Sequence, residues 1–319
     1  MAARSGSAIR FVFTVPEYSL RGLVWLAIAC LALFSACTTR GTANNGAGRE
    51  ITDDAGRRVS IPAKVDRVVS LAPNLTEIVF AVGAGDRLVG RTSYCDFPPE
   101  AKAIAEVGDT LHPSLERIIA LKPQVVLVST ASQLEVFTQQ LQGQNIAVDV
   151  TDPHDLEGVF RSIEQIGQIV GEKDKANVLV QKLQERTAAV ESAVKQKQPV
   201  RVFYQVSGEP LYTIGHDSFI TDLMRRAGGA SVTADVPGAW PKYSNESALA
   251  ARPEAIILPT GGSMGSANAN VADALRQSPA ALQGRVYKIN DDHLARPGPR
   301  SVDGLEEMAR ALHPDAFQK

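Results

Sequence analysis

Cysteine and histidine are scarce: three and five of 319 residues. That excludes a cysteine-rich metal scaffold, and an odd number of thiols gives no disulfide framework. An excess of one charge is also missing. Thirty-three basic residues against 35 acidic ones leave a net charge of −2, which offers no grip on nucleic-acid phosphates. The apolar run Gly22–Phe34 covers 13 residues, fewer than the roughly 20 that span a bilayer. There is no Gly-x-x-x-x-Gly-Lys-Ser/Thr phosphate loop and no His-Glu-x-x-His zinc motif, so neither proposes a reaction. What remains is 44 % apolar and 21 % charged, as in soluble globular chains, with room for two lobes of roughly 100 to 150 residues.

The apolar run follows Arg4, Arg10 and Arg21, the arrangement of a signal-peptide h-region. It ends Leu33-Phe34-Ser35-Ala36-Cys37, which resembles the lipobox at which bacterial lipoproteins are cut and acylated, with Phe34 where that motif usually has Leu. The expected division is a lipoprotein signal peptide over 1–36 and a flexible tether over 37–50, because Thr38 to Glu50 is polar, Gly/Asn/Ala-rich and aperiodic. Cys37 would carry lipid, the attachment to the membrane. Cys30 would leave with the signal, and Cys95 would remain as a lone thiol, read as a small packed residue.

Beyond the tether, Ile51 to Ile61 reads as a hairpin about Asp54-Ala55-Gly56. Apolar runs at 67–71, 87–90, 125–129 and 146–150 then alternate with helical patterns at 75–82, 115–121, 134–141 and 156–170, an α/β lobe over 51–170 with a mainly parallel sheet. From Glu172 to Gln198 there is neither Pro nor Gly, and Ala176, Leu179, Leu183, Val190 and Val194 fall on one stripe. This predicts a connector helix over 171–198. A second α/β lobe over 199–319 has strands at 201–206, 255–258 and 285–289 and helices at 219–227, 246–251 and 302–312.

A repeat links the two lobes. Ser114-Leu115-Glu116, Ala120, Lys122-Pro123 and the run 125–128 return as Ser244-Asn245-Glu246, Ala250, Arg252-Pro253 and 255–258. Ser is a plausible N-cap and Glu a first-turn acid in each. Capping alone does not require the same acid at the same place in both lobes. One carboxylate per lobe suits a partner that is itself two-fold and offers paired basic sockets.

Arg67-Val-Val-Ser-Leu-Ala-Pro-Asn-Leu-Thr-Glu77, Gly83 to Gly90, Ser93-Tyr94-Cys95-Asp96-Phe97-Pro98-Pro99, Leu115 to Pro123, Trp240-Pro241 and Arg296-Pro-Gly-Pro-Arg-Ser-Val-Asp-Gly-Leu305 together resemble the bacterial substrate-binding proteins for vitamin B12 and iron complexes, the helical-backbone metal receptors. The resemblance implies two α/β lobes with mainly parallel sheets joined by one long rigid helix, as in class III periplasmic-binding proteins. It implies a monomer that holds a metal chelate in the interlobe cleft, without a catalytic cofactor, and delivers it to an ABC permease dimer with its ATPase subunits. By position it makes Tyr94, Tyr212, Trp240, Asp292 and Arg296 cleft residues and Glu116 and Glu246 the permease-docking acids. Thr110 and Ser129 stand where B12-binding members carry Trp, so cobalamin or a related corrinoid, heme and ferric siderophores all stay open. Among the histidines, His293 is the one considered near a chelated metal, and His112, His154, His216 and His313 are expected to be solvated.

One enzyme reading competes. Gly261-Gly262-Ser263-Met264-Gly265 matches Gly-x-Ser-x-Gly, which would make Ser263 a hydrolase nucleophile with His293 and an Asp. Pro259-Thr260 is expected to interrupt the strand before it, Ser266–Asn270 reads as loop, and Asp291 and Asp292 directly precede His293. A nucleophile elbow needs strand, turn and helix in immediate succession, so binding is favoured over hydrolysis.

Overall fold

The computed structural model describes residues 48–129, 134–261 and 270–318. The chain opens with an antiparallel hairpin, β1 (Arg49–Thr52) and β2 (Arg58–Ile61), with Arg49 opposite Ile61. Gly56 turns it at φ 73°, where a side chain would be strained. Four parallel strands follow, β3 (Val68–Ser70), β4 (Leu88–Arg91), β5 (Val125–Ser129) and β6 (Ala147–Thr151), in the order β4-β3-β5-β6. Their crossovers include α1 (Pro73–Ala81), α2 (Leu115–Ala120) and α3 (Leu134–Gln142). Then come α4 (Leu156–Ile169) and the connector α5 (Lys173–Val194).

The second half repeats the plan. β7 (Val200–Tyr204), β10 (Gly229–Ser231), β11 (Ala255–Thr260) and β12 (Val286–Asn290) form a parallel sheet in the order β10-β7-β11-β12. In both sheets the second strand lies to one side of the first and the third and fourth to the other, so each has the same switch of direction beside its first strand. Residues from Gly48 onward form one compact unit, two α/β lobes around α5. Besides short 3-10 turns, the other described elements are a small hairpin, β8 (Ser207–Gly208) and β9 (Leu211–Tyr212), and helices α6 (Phe219–Arg226), α7 (Asn245–Ala250), α8 (Pro279–Leu282), α9 (Asp291–Leu294) and α10 (Ser301–Leu312).

Continuous apolar strands are what a sheet covered on both faces requires. Val125–Val128 and Ala255–Leu258 are accordingly buried throughout. The connector buries Ala176, Val180, Leu183, Thr187, Val190 and Val194, and the expected Leu179 packs half-buried against the same core. At 1.5 Å per residue, its 22 residues make a rod of about 33 Å. Ion pairs fasten it to both lobes. Glu172 meets Arg87 of the first lobe at 2.8 Å, and Arg186 meets Asp303 and Glu306 of α10 at 2.6 and 2.8 Å.

Three expectations are corrected. The connector stops at Val194, its last buried residue, rather than at Gln198. Lys195–Gln198 present no apolar side chain to either lobe, and a residue before proline is steered to extended backbone. Strand β11 is not interrupted by Pro259, which pairs with Ile289 of β12. On its other side β7 has ended opposite Ile257, so the missing N–H costs no ladder bond. His313 is buried rather than solvated, with Nε2 2.9 Å from the Gly228 carbonyl.

Candidate ligand cleft and docking face

In open parallel sheets, ligands gather outside the carboxyl ends of the strands, at the switch of strand order. The expected cleft residues lie on segments that leave such ends or flank them. Tyr94 follows β4, Asp292 and Arg296 follow β12, and Trp240 follows β10. Tyr212, on β9, bridges to Lys242, two residues beyond Trp240, and Thr213 N–H donates to the Pro241 carbonyl at 3.1 Å. Tyr94 is 39 % exposed and Trp240 46 % exposed, large aromatics left outside the core, one in each lobe. The segments after β5 (130–133) and after β11 (262–269), with Ser263 among them, lie outside the described residues, as does Cys37.

Arg296 has a different setting from a ligand hook. It is 7 % exposed. Its Nη1 donates to Glu77 at 3.1 Å and to Asp96 at 3.0 Å, both in the first lobe, while Nη2 lies 2.9 Å from Asp292. Arg300 completes the group, its Nε and Nη2 gripping the two oxygens of Glu77 at 2.8 and 2.6 Å and its guanidinium lying 4.1 Å from the centre of the Phe97 ring. Two guanidiniums of the second lobe thus meet Glu77 and Asp96 across the lobes and Asp292 within their own. Burial works against the Arg296 charge, but Asp96, Asp292 and Glu77 outweigh it and hold its pKa above the ordinary arginine value. Asp291, beside the group, is raised by burial and then by the Asp292 charge. Glu77, Asp96 and Arg300 were given no site role by the sequence, although all three lie in the segments that carry the family resemblance. Their signal was a glutamate inside an apolar helical run and two arginines four apart around prolines.

His293 places Nδ1 2.8 Å from Glu307, a partner on α10 and not the adjacent aspartates. No group of three or more metal-ligating side chains is assembled among the described residues. Cys95 is fully buried against the Thr92 hydroxyl at 3.1 Å, a packing role.

The repeat extends to fine geometry. Ser114 and Ser244 cap α2 and α7 by accepting from Arg117 N–H at 3.4 Å and Ser247 N–H at 3.0 Å, and Glu116 and Glu246 are exposed in the first turns. Both helices end in a left-handed, non-glycine residue, Lys122 at φ 48° and Arg252 at φ 45°, conformations rare enough to mark common design. Arg67 donates to the Leu121 carbonyl and Arg201 to the Ala251 carbonyl.

Two surface cavities, of about 500 and 550 Å³, occur among the described residues. The first lies beside Glu246, between Glu209–Leu211, Lys242–Glu246 and 270–276, and the second runs along α6 and the free edge of β10, with His154 and His216 at its rim. Neither is lined by Tyr94, Trp240 or Arg296. No helix among the described residues is long and apolar enough to cross a membrane.

A family model described as periplasmic binding protein matches residues 68–293. The chain belongs to that family, one of substrate-binding proteins with two α/β lobes. Among its relatives, an uncharacterised ABC transporter substrate-binding lipoprotein, YvrC, of Bacillus subtilis is 32 % identical over 276 residues, 84 % of this chain and 87 % of that protein. The crystal structure of the periplasmic vitamin B12 binding protein BtuF of Vibrio cholerae superposes with a TM-score of 0.70 at 26 % identity, over 80 % of this chain and 99 % of that one. The periplasmic heme-binding protein RhuT of Roseiflexus, in apo form, matches with a TM-score of 0.70 at 26 % identity, over 80 % of this chain and all of its own.

Proposed function

We propose that this protein is the lipid-anchored, extracytoplasmic binding subunit of an ABC importer, and that it captures cobalamin or a related corrinoid between Tyr94 and Trp240 for delivery to a permease dimer powered by ATPase subunits. Glu116 and Glu246 are the docking acids, and Cys37 carries the anchor. The observation that carries the corrinoid reading is the charge of the interlobe group. Glu77, Asp96 and Asp292 outnumber Arg296 and Arg300, and both guanidiniums are already bonded to carboxylates. Such a floor disfavours carboxylate-bearing ligands and suits an apolar ring fringed with neutral amides, whose N–H groups can donate to Asp96. On this reading the exposed rings of Tyr94 and Trp240, one in each lobe, supply the stacking area.

Heme is the second reading, favoured by the likeness to RhuT. One titration separates the two. Trp240 and Trp25 are the two tryptophans of the chain, and Trp25 falls in the segment read as signal peptide, so quenching of the processed protein reports on Trp240. Cyanocobalamin is expected to quench with saturation and hemin not to compete. Saturable hemin or ferric-siderophore binding without cyanocobalamin binding overturns the corrinoid assignment and leaves the family intact.

A further inference from the structure

We propose that Arg296 and Arg300 are positioning residues that reach from the second lobe, clamp Glu77 and the Tyr94–Phe97 loop of the first, and fix the spacing of the cleft walls before any ligand arrives. The inference rests on reading the space between Tyr94 and Trp240 as the ligand cleft. Glu77 sits on the buried side of α1 with a side chain only 3 % exposed. An ionised carboxylate in such a place must be paired. Among the described residues its side chain is hydrogen-bonded by Arg296 and Arg300 alone, and both belong to the other lobe. The Glu77 side chain is therefore satisfied only when the second lobe is in register.

The same two arginines fasten the loop that presents Tyr94. Cys95 is held in the core, Asp96 takes the Arg296 hydrogen bond, and Phe97 lies against the Arg300 guanidinium. Three consecutive residues are thus tied down while the Tyr94 ring stays outside. Asn74 adds a neutral link, its side-chain amide donating to the Pro297 carbonyl at 3.2 Å. The two-oxygen grip of Arg300 on Glu77 uses the fork geometry that lysine lacks. A wall held this way spares the ligand the ordering cost that a loose cleft would impose.

The test uses the full chain in detergent. Glu77→Gln/Arg300→Met removes the grip without stranding a buried charge, and Arg300→Lys keeps the charge but loses the fork. Hydrogen exchange followed by mass spectrometry, without ligand, is expected to quicken about tenfold or more over 93–98 and 296–301 in the double variant, with β5 and β11 unchanged and the same melting temperature. Binding of whichever probe the wild type takes, cyanocobalamin or hemin, should weaken about tenfold through slower association, as the share of molecules with competent spacing falls. Arg300→Lys should fall between. Unchanged exchange in those segments, or quickened exchange with unchanged affinity, overturns the clamp. The exchange arm needs no ligand, so a wild type that binds neither probe counts against the ligand reading and leaves the clamp to stand or fall on exchange.

Discussion

Asp149, on β6, is fully buried. Its Oδ1 accepts from the Gln165 side chain at 2.7 Å, while Oδ2 has no partner. Burial first, then the charges of Asp53 and Asp54, push its pKa from the ordinary 3.8 up to about 7, against the pull of Gln165 and Arg57. The folded protein therefore keeps a proton that the unfolded chain has already released between these values. Its stabilising contribution is complete below pH 3.8 and is lost as pH rises through about 7. At about 1.4 kcal/mol for each pH unit, the loss across that window is roughly 4 kcal/mol. Asp149→Asn removes the titration and keeps the shape. Its amide still needs an acceptor where Oδ2 had none, which takes back about 1 to 3 kcal/mol. The variant should thus melt a few degrees above the wild type at pH 8, at about 2 °C for each kcal/mol in a chain of this size. At pH 4.5 it should be equal or slightly less stable. Melting followed by circular dichroism from pH 4 to 8 gives both curves, and the difference between them isolates Asp149 from Asp291, whose own upward shift is common to both. Parallel curves across that range would refute the reasoning.

Cys37→Ser should move the protein from the membrane to the soluble fraction on cell fractionation, since a diacylated cysteine is the proposed anchor. Trp240→Ala should weaken the best chelate by about 1 to 3 kcal/mol, as for other aromatic anchors, with unchanged melting; an unchanged dissociation constant would return Trp240 to a structural role. Glu116→Lys or Glu246→Lys should slow docking, and the pair together should nearly abolish uptake while purified protein binds ligand normally, because rim charges set orientation and association rate. Normal transport by the double variant would reduce the repeat to a duplicated helix cap.

Much of the fold is legible because long apolar strands and capped short helices announce themselves locally. Val125–Ser129 and Ala255–Thr260 stand out as runs, and Ser114 and Ser244 mark helix starts. Strand β10 is too short, and its Gly-Ala-Ser sequence too featureless, to be read. Pro259 misleads because whether a strand proline is harmless depends on where the neighbouring strand ends, and no local pattern carries that. The site divides in the same way. Tyr94 and Trp240 are visible as aromatics in loops, but the partners of Arg296 are not, since Asp96 lies 200 positions away and Glu77 219. A buried ion group is defined by the packing of two lobes, and each of its members taken singly looks like an ordinary surface charge or a loop anchor.

Which features are duplicated and which are not follows from what each must meet. The strand order, the serine caps, the left-handed Lys122 and Arg252, and the exposed Glu116 and Glu246 all occur twice. The clamp occurs once, with its acid Glu77 in the first lobe and its gripping arginines in the second. A partner with two-fold symmetry presents the same socket twice, so under the docking role proposed above both copies of the helix and its acid are expected to be kept. A chelate presents two different faces to the two walls, and a clamp must join unlike halves, because an acid is held by a base and not by a second acid. Divergence of the duplicated lobes is therefore expected at the cleft and its floor and resisted at the rim. The conformations of Lys122 and Arg252 fit that division, since retaining a rare backbone state in both lobes serves the placement of the two helices and has no bearing on which ligand the proposed cleft would take.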